Sequence, residues 1–410
     1  MTELVAEPAE VAAIAAALAT APLAAFDLEF LAQDRLVPTL CLVQVSWLDP
    51  GLDVSISEIV AGQPEVRLID PIAVDVRPVF EALAARHVDA GPVLAHAARQ
   101  DLGIIAAQYG IEMPGIVDTQ VMAAFAGVGD QVGLATLANE LLGLSLGKEL
   151  QWTDWARRPL SDAQRAYAEA DVRHLPAIYD KLRAKLGDRL AWARAESTVI
   201  AADAVAASRV TPETAWRTFG GIRGLDAATF AVVRELAGWR LRVAIELDRP
   251  IGWVLSEKSV IELARNRPGS SEAVRAIKGM TQLAKQRADE LVAAIARAKP
   301  DPAVAPIGIR RAPSARAQRW SEMLLAIAQL AAEQTGVSAR LLATRSDAEE
   351  FARTVDDHGP EAARSLPALA TWRHDVIGTS WITWLAGGLA LVGDADAATG
   401  IRLVPRSRAR

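Results

Sequence analysis

The chain has 410 residues, of which 51% are hydrophobic and 23% are charged, so it is long enough for two or three domains of about 150 residues each. Its one cysteine, Cys41, excludes an intramolecular disulfide or a thiolate zinc cluster and fits a reducing cytosol. No apolar run reaches the roughly 20 residues of a membrane helix, and no targeting segment is recognisable. We therefore expect a cytoplasmic protein without a membrane partner.

The net charge of -6 hides an uneven distribution. Residues 1–190 contain 14 Lys and Arg against 26 Asp and Glu, whereas residues 209–299 contain 16 against 10. This asymmetry is typical of a catalytic domain that holds cations, joined to a module that holds polyanions. The alternative is chance variation between two surfaces.

The first 190 residues alternate short β-rich runs with helical ones, which predicts an α/β domain with a sheet flanked by helices. The predicted strands are 24–30, 39–48, 66–70 and 92–96. The predicted helices are 76–87, 101–110 and 161–186, the last with Ser161 as its N-cap.

Strand signals disappear after about residue 209, and helical segments separated by Gly and Pro loops follow. A Pro- and Ala-rich linker interrupts them, and the segments after it repeat the plan of those before it, which indicates two small helical domains. The predicted units are an α/β domain at 1–195, a helical domain at 207–298, a linker at 299–314, a second helical domain at 315–392 and a disordered tail at 393–410.

An acid pair interrupts the first apolar run, "AAFDLEF". Asp27 and Glu29 are two residues apart in a predicted strand, so their side chains project from the same face. Carboxylates that close repel each other unless a cation lies between them. Because no Cys or His cluster is at hand, Mg²⁺ or Mn²⁺ suits this pair best. The structural alternative is a solvated strand end.

Two further acidic positions follow on predicted helices. Asp101 lies near the start of a helix, where its alternative role is an interaction with the helix dipole. Tyr167 and Asp171 are four residues apart, so the phenol and the carboxylate share one helix face. The alternative for Tyr167 is a half-buried core aromatic.

Taken in this order, the three segments resemble the motifs of the DEDD superfamily of 3′→5′ exonucleases: D-x-E on a first strand, Asp on a middle helix and Y-x-x-x-D on a late helix. Their flanks, including "PTLCLVQVSW", "VLAHAARQDL", "TDWARRPLS" and "YAEADVRHL", are similar to ribonuclease D. The segment that begins "AWRTFGGIRGLD" resembles the HRDC domain that ribonuclease D shares with RecQ-type helicases. The last unit resembles the weaker second HRDC-like domain of ribonuclease D.

The resemblance implies a ribonuclease H-like α/β exonuclease domain, with a mixed sheet flanked by helices, followed by two all-α HRDC-type domains. It also implies two divalent metal ions, Mg²⁺ or Mn²⁺, on either side of the scissile phosphate. Asp27, Glu29 and Asp171 would hold the ion that activates the water. Asp27 would also bridge to the second ion, whose water shell Asp101 supports. Tyr167 would orient the attacking water, because a phenol with a pKa near 10 is a poor base at neutral pH.

Several basic or polar residues are candidates for contact with RNA. His96 occupies the place where an Asn or His often precedes the second-motif Asp in this superfamily. The other candidates lie beside the third motif or in the first helical domain, and a solvated surface is the alternative for each. The complete set is His96, Lys148, Arg157, Arg158, Arg240, Arg242 and Lys278.

We therefore expect a monomeric 3′→5′ exoribonuclease that releases nucleoside 5′-monophosphates from single-stranded RNA, with tRNA precursors that carry 3′ extensions as its substrates. One alternative is a 3′→5′ DNA exonuclease, because the residue that would contact the ribose 2′-hydroxyl cannot be identified from the sequence. The other is a non-catalytic nucleic-acid adaptor, against which the complete set of four acids and the tyrosine argues.

Overall fold

The computed structural model describes residues 3–32, 34–49, 64–86, 91–147, 150, 152–304, 313–366 and 369–406. One mixed sheet has the strand order β1-β4-β3-β2-β5-β6, with β1 Leu4–Val5, β2 Ala24–Leu31, β3 Thr39–Trp47, β4 Glu65–Ile69, β5 Val93–Ala95 and β6 Ile116–Asp118. The central strand β2 is antiparallel to β3 and parallel to β5. The predicted mixed sheet is therefore confirmed.

The four predicted strands correspond to β2, β3, β4 and β5. Strands β1 and β6 were not predicted, because they have two and three residues and neither lies in a longer apolar run like the one that indicated β5. Both add to the sheet through parallel pairing, β1 with β4 and β6 with β5. Their positions therefore depend on tertiary contacts.

Eight helices accompany the sheet over the described residues up to 208: α1 Pro8–Thr20, α2 Arg77–Ala84, α3 Arg99–Tyr109, α4 Thr119–Phe125, α5 Leu134–Leu142, α6 Asp162–Arg173, α7 Leu175–Leu186 and α8 Leu190–Ser208. Ser161 caps α6, as predicted, in a reciprocal capping box with Gln164. The single helix expected at 161–186 is in fact α6 and α7, which meet at His174. Pro176 explains this break, because it has no N–H to continue the helix.

The second half of the chain contains two groups of helices. The first is α9 Ala227–Leu247, α10 Ile251–Val254, α11 Glu257–Asn266, α12 Ser271–Ala276, α13 Gln282–Gln286 and α14 Ala288–Arg297. The second is α15 Ala315–Thr335, α16 Ala339–Leu342, α17 Arg345–His358, α18 Pro360–Ala363 and α19 Thr379–Leu385. The first group has a core of its own, whereas the second shares one continuous core with α4, α5 and α7.

The expected disordered tail at 393–410 is wrong over residues 401–405. Strand β7 (Leu389–Gly393) pairs antiparallel with β8 (Ile401–Pro405), and Leu391 and Leu403 pack together against the core of the second helical group. Five residues of alternating burial are enough for a hairpin once such a surface is present. Residues 407–410, and residues 305–312 of the expected linker at 299–314, lie outside the described residues.

None of the helices in the described ranges is both long and apolar enough to cross a bilayer.

Candidate active site

Three predicted acids converge where α6 crosses the sheet. Asp27 and Glu29 lie on β2, and Asp171 lies on α6, which packs across β2, β3 and β4. Ser46 on β3 donates a hydrogen bond of 2.9 Å to the carbonyl of Val172 and so holds α6 against the sheet. One carboxylate oxygen from each of the three acids lies within 4.8 Å of the other two. The first and third motifs therefore form one cluster.

Asp101 is the fourth predicted acid and comes from a different helix, α3. It lies in the first turn of α3 and is only 7% exposed. Burial, followed by the charges of Asp27 and Asp118, raises the pKa of Asp101 well above its usual value. The charge of Asp101 in turn contributes to the raised pKa of Glu29, so Asp101 lies near the cluster without being one of the three carboxylates that meet within 4.8 Å.

Burial and mutual repulsion raise the pKa values of the clustered carboxyl groups. Burial raises the pKa of Asp27 to about 7. Burial together with the charge of Asp27 raises the pKa of Asp171 to about 8. Burial and the charges of Asp27, Asp171 and Asp101 raise the pKa of Glu29 to about 10. Protons, or a cation, must therefore neutralise the cluster near pH 7. Its all-oxygen donor set fits a hard divalent metal ion.

Tyr167, Asp27 and Asp171 line a cavity of about 370 Å³. The phenol and the Asp171 carboxylate lie one turn apart on the same face of α6. Burial and the neighbouring carboxylates, Asp171 first, raise the pKa of Tyr167 far above its ordinary value. The phenol is therefore neutral at neutral pH and can orient a hydroxyl or a water molecule.

His96 also lines this cavity, directly after β5. Its Nδ1 lies 2.9 Å from Oγ1 of Thr119, the first residue of α4. Burial lowers the pKa of His96, so the ring is neutral at neutral pH. A substrate in this cavity would meet the His96 ring, and its contact with RNA stays a prediction.

Asp118 is a positioning residue that the sequence analysis missed. Its carboxylate accepts hydrogen bonds from the backbone N–H groups of Ala97 at 2.9 Å, Ala98 at 3.0 Å and Gln120 at 2.8 Å. These bonds hold the turn between β5 and α3, in which Ala97 has a φ of 56°. Asp118 thereby fixes the start of the helix that carries Asp101. The only local signal was an Asp at a helix N-cap.

Arg157 and Arg158 differ, although both were predicted to contact RNA. Arg157 is exposed beside the site and stays a candidate. Arg158 instead uses all five N–H groups inside the protein, on both carboxylate oxygens of Asp70 and on the carbonyls of Cys41, Trp155 and Arg157. It has no donor left for a phosphate, so its prediction as an RNA contact is corrected. Lys148 lies outside the described residues.

The three candidates on the first helical group have different surroundings. Arg240 is half-buried, donates to the carbonyl of Ile251 at 3.2 Å and lies over the ring of Phe219. Arg242 and Lys278 are exposed, and Lys278 borders a groove of about 1080 Å³ on the same group of helices. Arg242 and Lys278 are therefore available to a polyanion, whereas Arg240 mainly holds helices together.

Known families match both halves of the chain. Residues 2–187 match the family described as 3'-5' exonuclease, and residues 229–295 match the HRDC domain. The fold and the acid cluster thus define a 3′→5′ exonuclease with a C-terminal helical module. The second HRDC-like domain, expected at 315–392, stays a prediction.

Similar proteins of known family indicate which kind of 3′→5′ exonuclease this chain is. Ribonuclease D of Jannaschia sp. is 34% identical over 391 residues, 93% of this chain and 95% of the relative. Ribonuclease D of Acidiphilium cryptum is 33% identical over 390 residues, 93% and 92% of the two chains. The crystal structure of Escherichia coli RNase D, an exoribonuclease involved in structured RNA processing, has a TM-score of 0.77 at 25% identity and covers 94% of this chain and 99% of its own.

The chain belongs to the ribonuclease D family. It is accordingly a metal-dependent 3′→5′ exoribonuclease, and RNA is its substrate.

Proposed function

We propose that this exoribonuclease removes nucleotides one at a time from single-stranded RNA 3′ ends and releases nucleoside 5′-monophosphates by a two-metal mechanism. The observation that carries the proposal is the approach of the Asp27, Glu29 and Asp171 carboxylates to within 4.8 Å of one another, beside a cavity that Asp27 and Asp171 line. Oxygen ligands at this spacing suit Mg²⁺ or Mn²⁺.

Each acid has a distinct part in holding the metal ions. Asp27, Glu29 and Asp171 would hold one ion, and Asp27 together with Asp101 would serve a second. When bound, two such ions supply an activated water and stabilise the leaving 3′ oxygen. Tyr167 orients the water through its neutral phenol, because its raised pKa keeps it from acting as a base.

The RNA extends from the cavity toward exposed, positively charged side chains. His96 contacts the 3′-terminal nucleotide from the cavity wall, and Arg157 contacts a phosphate beside it. Arg242 and Lys278 hold more distant phosphates on the HRDC module. Because phosphate contacts release counterions, the Kd for RNA rises steeply with salt.

The substrates we propose are tRNA precursors with 3′ extensions, processed by a monomer in the cytoplasm. Size-exclusion chromatography with light scattering tests whether the protein is a monomer.

Incubation with a tRNA that carries extra 3′ nucleotides, and with a fully base-paired RNA of equal length, tests the proposed substrate. Trimming of both to the same extent would contradict the preference for single-stranded 3′ extensions.

A direct test uses a 5′-labelled single-stranded RNA and its DNA counterpart, each with Mg²⁺, with Mn²⁺ and with chelator. We expect metal-dependent shortening of the RNA from its 3′ end with 5′-mononucleotide products, while the DNA is largely spared. Equal shortening of the DNA would support the DNA exonuclease instead.

Asp27→Asn is the matched inactive variant, because it keeps the size of the side chain and removes the charge. We expect it to lose at least about 10³-fold in kcat, as removal of a metal ligand predicts, and to keep its affinity for RNA. RNA binding without shortening by the unmodified protein, with either metal, would support the adaptor.

A further inference from the structure

Gln44 is a buried polar residue beside the acid cluster, and none of the roles above uses it. It lies on β3 directly opposite Asp27 of β2 in the antiparallel register, so both side chains project from the same face of the sheet. Gln44 is 0% exposed, and within the described part of the chain neither its Oε1 nor its Nε2 has a hydrogen-bond partner. An amide left in this state is unfavourable, because it has lost water and gained no replacement.

Its neighbours show what encloses this amide. Ser46 follows Gln44 on the same face of β3 and is bonded to the Val172 carbonyl on α6. Leu42 precedes it on that face and belongs to the apolar cluster between the sheet and α6. Gln44 therefore lies beneath α6, between the strand that carries Asp27 and the helix that carries Asp171.

The strand register places Gln44 directly opposite Asp27, a geometry in which a direct hydrogen bond can form. Cβ atoms of directly opposite residues in an antiparallel pair are about 4.5–5.5 Å apart. The Gln44 amide can thus reach the Asp27 carboxylate by side-chain rotation alone. A hydrogen bond from an amide to an ionised carboxylate is stronger than a neutral one, and more so where water is excluded.

We propose that Gln44 is a positioning residue, whose Nε2 donates a hydrogen bond to the Asp27 carboxylate in the metal-loaded site and fixes the orientation in which Asp27 holds the ions. The buried amide of Gln44, which lacks a hydrogen-bond partner, is the observation that carries this proposal. The inference rests on the metal-dependent function proposed above and deepens it. Partners of this kind typically change metal affinity by about 10–100-fold.

The test compares Gln44→Met, which keeps the volume and removes the amide, with the unmodified full-length chain. We expect the Kd for Mn²⁺, measured by calorimetry without RNA, to rise at least about 10-fold. The kcat should fall, while the KM for RNA stays unchanged because Gln44 does not touch the substrate. The free energy of unfolding in chelator should stay equal or increase, since an unpartnered amide has been removed. Gln44→Leu provides a second variant if the methionine variant does not fold.

Val43→Ala is the matched control, because Val43 is the adjacent residue on the opposite face of β3 and is equally buried. It should lower the free energy of unfolding through a cavity and leave the Kd for Mn²⁺ unchanged. A Kd for Mn²⁺ in Gln44→Met equal to that of the unmodified chain, or an equal rise in Val43→Ala, would overturn the positioning role. If the unmodified chain itself neither bound Mn²⁺ nor shortened RNA, the proposed function would fail together with this inference.

Discussion

Asp27 is the residue on which the other acids depend electrostatically. After burial, its charge is the largest cause of the raised pKa values of Glu29, Asp101 and Asp171. A cluster of this kind opposes folding when it is ionised without a counter-ion, and such local conflict is typical of functional sites. Metal binding and stability should therefore be linked at this site.

The first prediction concerns the pH dependence of stability. The folded-state pKa values, about 7 for Asp27 and about 8 for Asp171, exceed the unfolded values near 4. The folded chain thus binds more protons than the unfolded chain, so stability from these groups is full below about pH 4 and is lost as the pH rises through about 7 to 8. In chelator, we expect the free energy of unfolding by urea to fall by up to about 1.4 kcal/mol per pH unit for each group.

Two controls accompany this measurement. Saturating Mg²⁺ should flatten the pH dependence, because the ion replaces the protons. Asp171→Asn should reduce the slope in chelator, since it removes one of the titrating groups. Equal slopes in the unmodified chain and in Asp171→Asn would show that the dependence comes from other residues.

The second prediction distinguishes orientation from proton abstraction at Tyr167. Tyr167→Phe should lower kcat by about 10- to 100-fold, as expected when a positioning group is lost, with little change in KM. The pH profile of kcat/KM between about pH 6 and 9 should keep its shape, because a phenol with a raised pKa does not titrate there. Loss of one limb of the profile in Tyr167→Phe would instead identify the phenol as the base.

At the level of elements, the loop before α6 determines where the third motif lies. The capping box at Ser161 starts the helix, and the side chain of Gln164 also bonds to Thr153 and Asp154 of the loop. Arg158 then ties the same loop to the sheet through its double hydrogen bond to Asp70. These contacts hold α6, and therefore Tyr167 and Asp171, against β2.

The third prediction follows from the position of Arg158. Asp70 is 5% exposed, so Arg158→Met leaves a buried carboxylate without its cation and should lower the free energy of unfolding by about 3–5 kcal/mol. The Kd for RNA should not change in conditions where the variant is folded. Arg157→Ala is the matched variant, for which we expect the reverse: unchanged stability and a weaker, less salt-dependent affinity for RNA. Weaker RNA binding by a folded Arg158→Met variant would contradict a purely structural role for Arg158.

For the whole molecule, the main finding is that the second helical group is part of the exonuclease core. Its buried residues form one cluster with those of α4, α5 and α7. The indole of Trp372 stacks on that of Trp192 with ring centroids 5.7 Å apart. Arg373 donates to Glu196 of α8 and to the Leu341 carbonyl, each at 2.8 Å. The C-terminal unit therefore supports the exonuclease domain from the side of the sheet that α4 and α7 cover.

The fourth prediction tests this docking with a buried and an exposed ion pair. Arg373→Met leaves Glu196, which is 9% exposed, without its cation and should lower the free energy of unfolding by about 3–5 kcal/mol. Arg364→Met breaks only the exposed ion pair with Glu361 and should change the free energy of unfolding by less than about 0.5 kcal/mol. Hydrogen exchange should increase in α15–α19 of Arg373→Met alone. Equal effects of the two substitutions would contradict a buried docking contact.

Asp27 with Glu29, and Tyr167 with Asp171, could be identified as pairs from the sequence because their arrangement depends on local periodicity, whereas Asp101 was assigned only through the family resemblance. A D-x-E pair on a strand shares a face whatever packs against it, and a Y-x-x-x-D pair on a helix does the same. The main strands and the N-cap at Ser161 were predictable for the same reason. The order of the segments then carried the family resemblance.

The contacts that hold these residues in place depended on pairing between distant parts of the chain. Asp70 and Arg158 are 88 residues apart and Asp118 and Ala97 are 21 apart, so no local pattern could distinguish a structural arginine from one that binds RNA. The proposed role of Gln44 follows only from the strand register, which places it opposite Asp27. Side-chain chemistry and local periodicity were thus readable in the sequence, whereas strand register and long-range packing decided which polar group meets which.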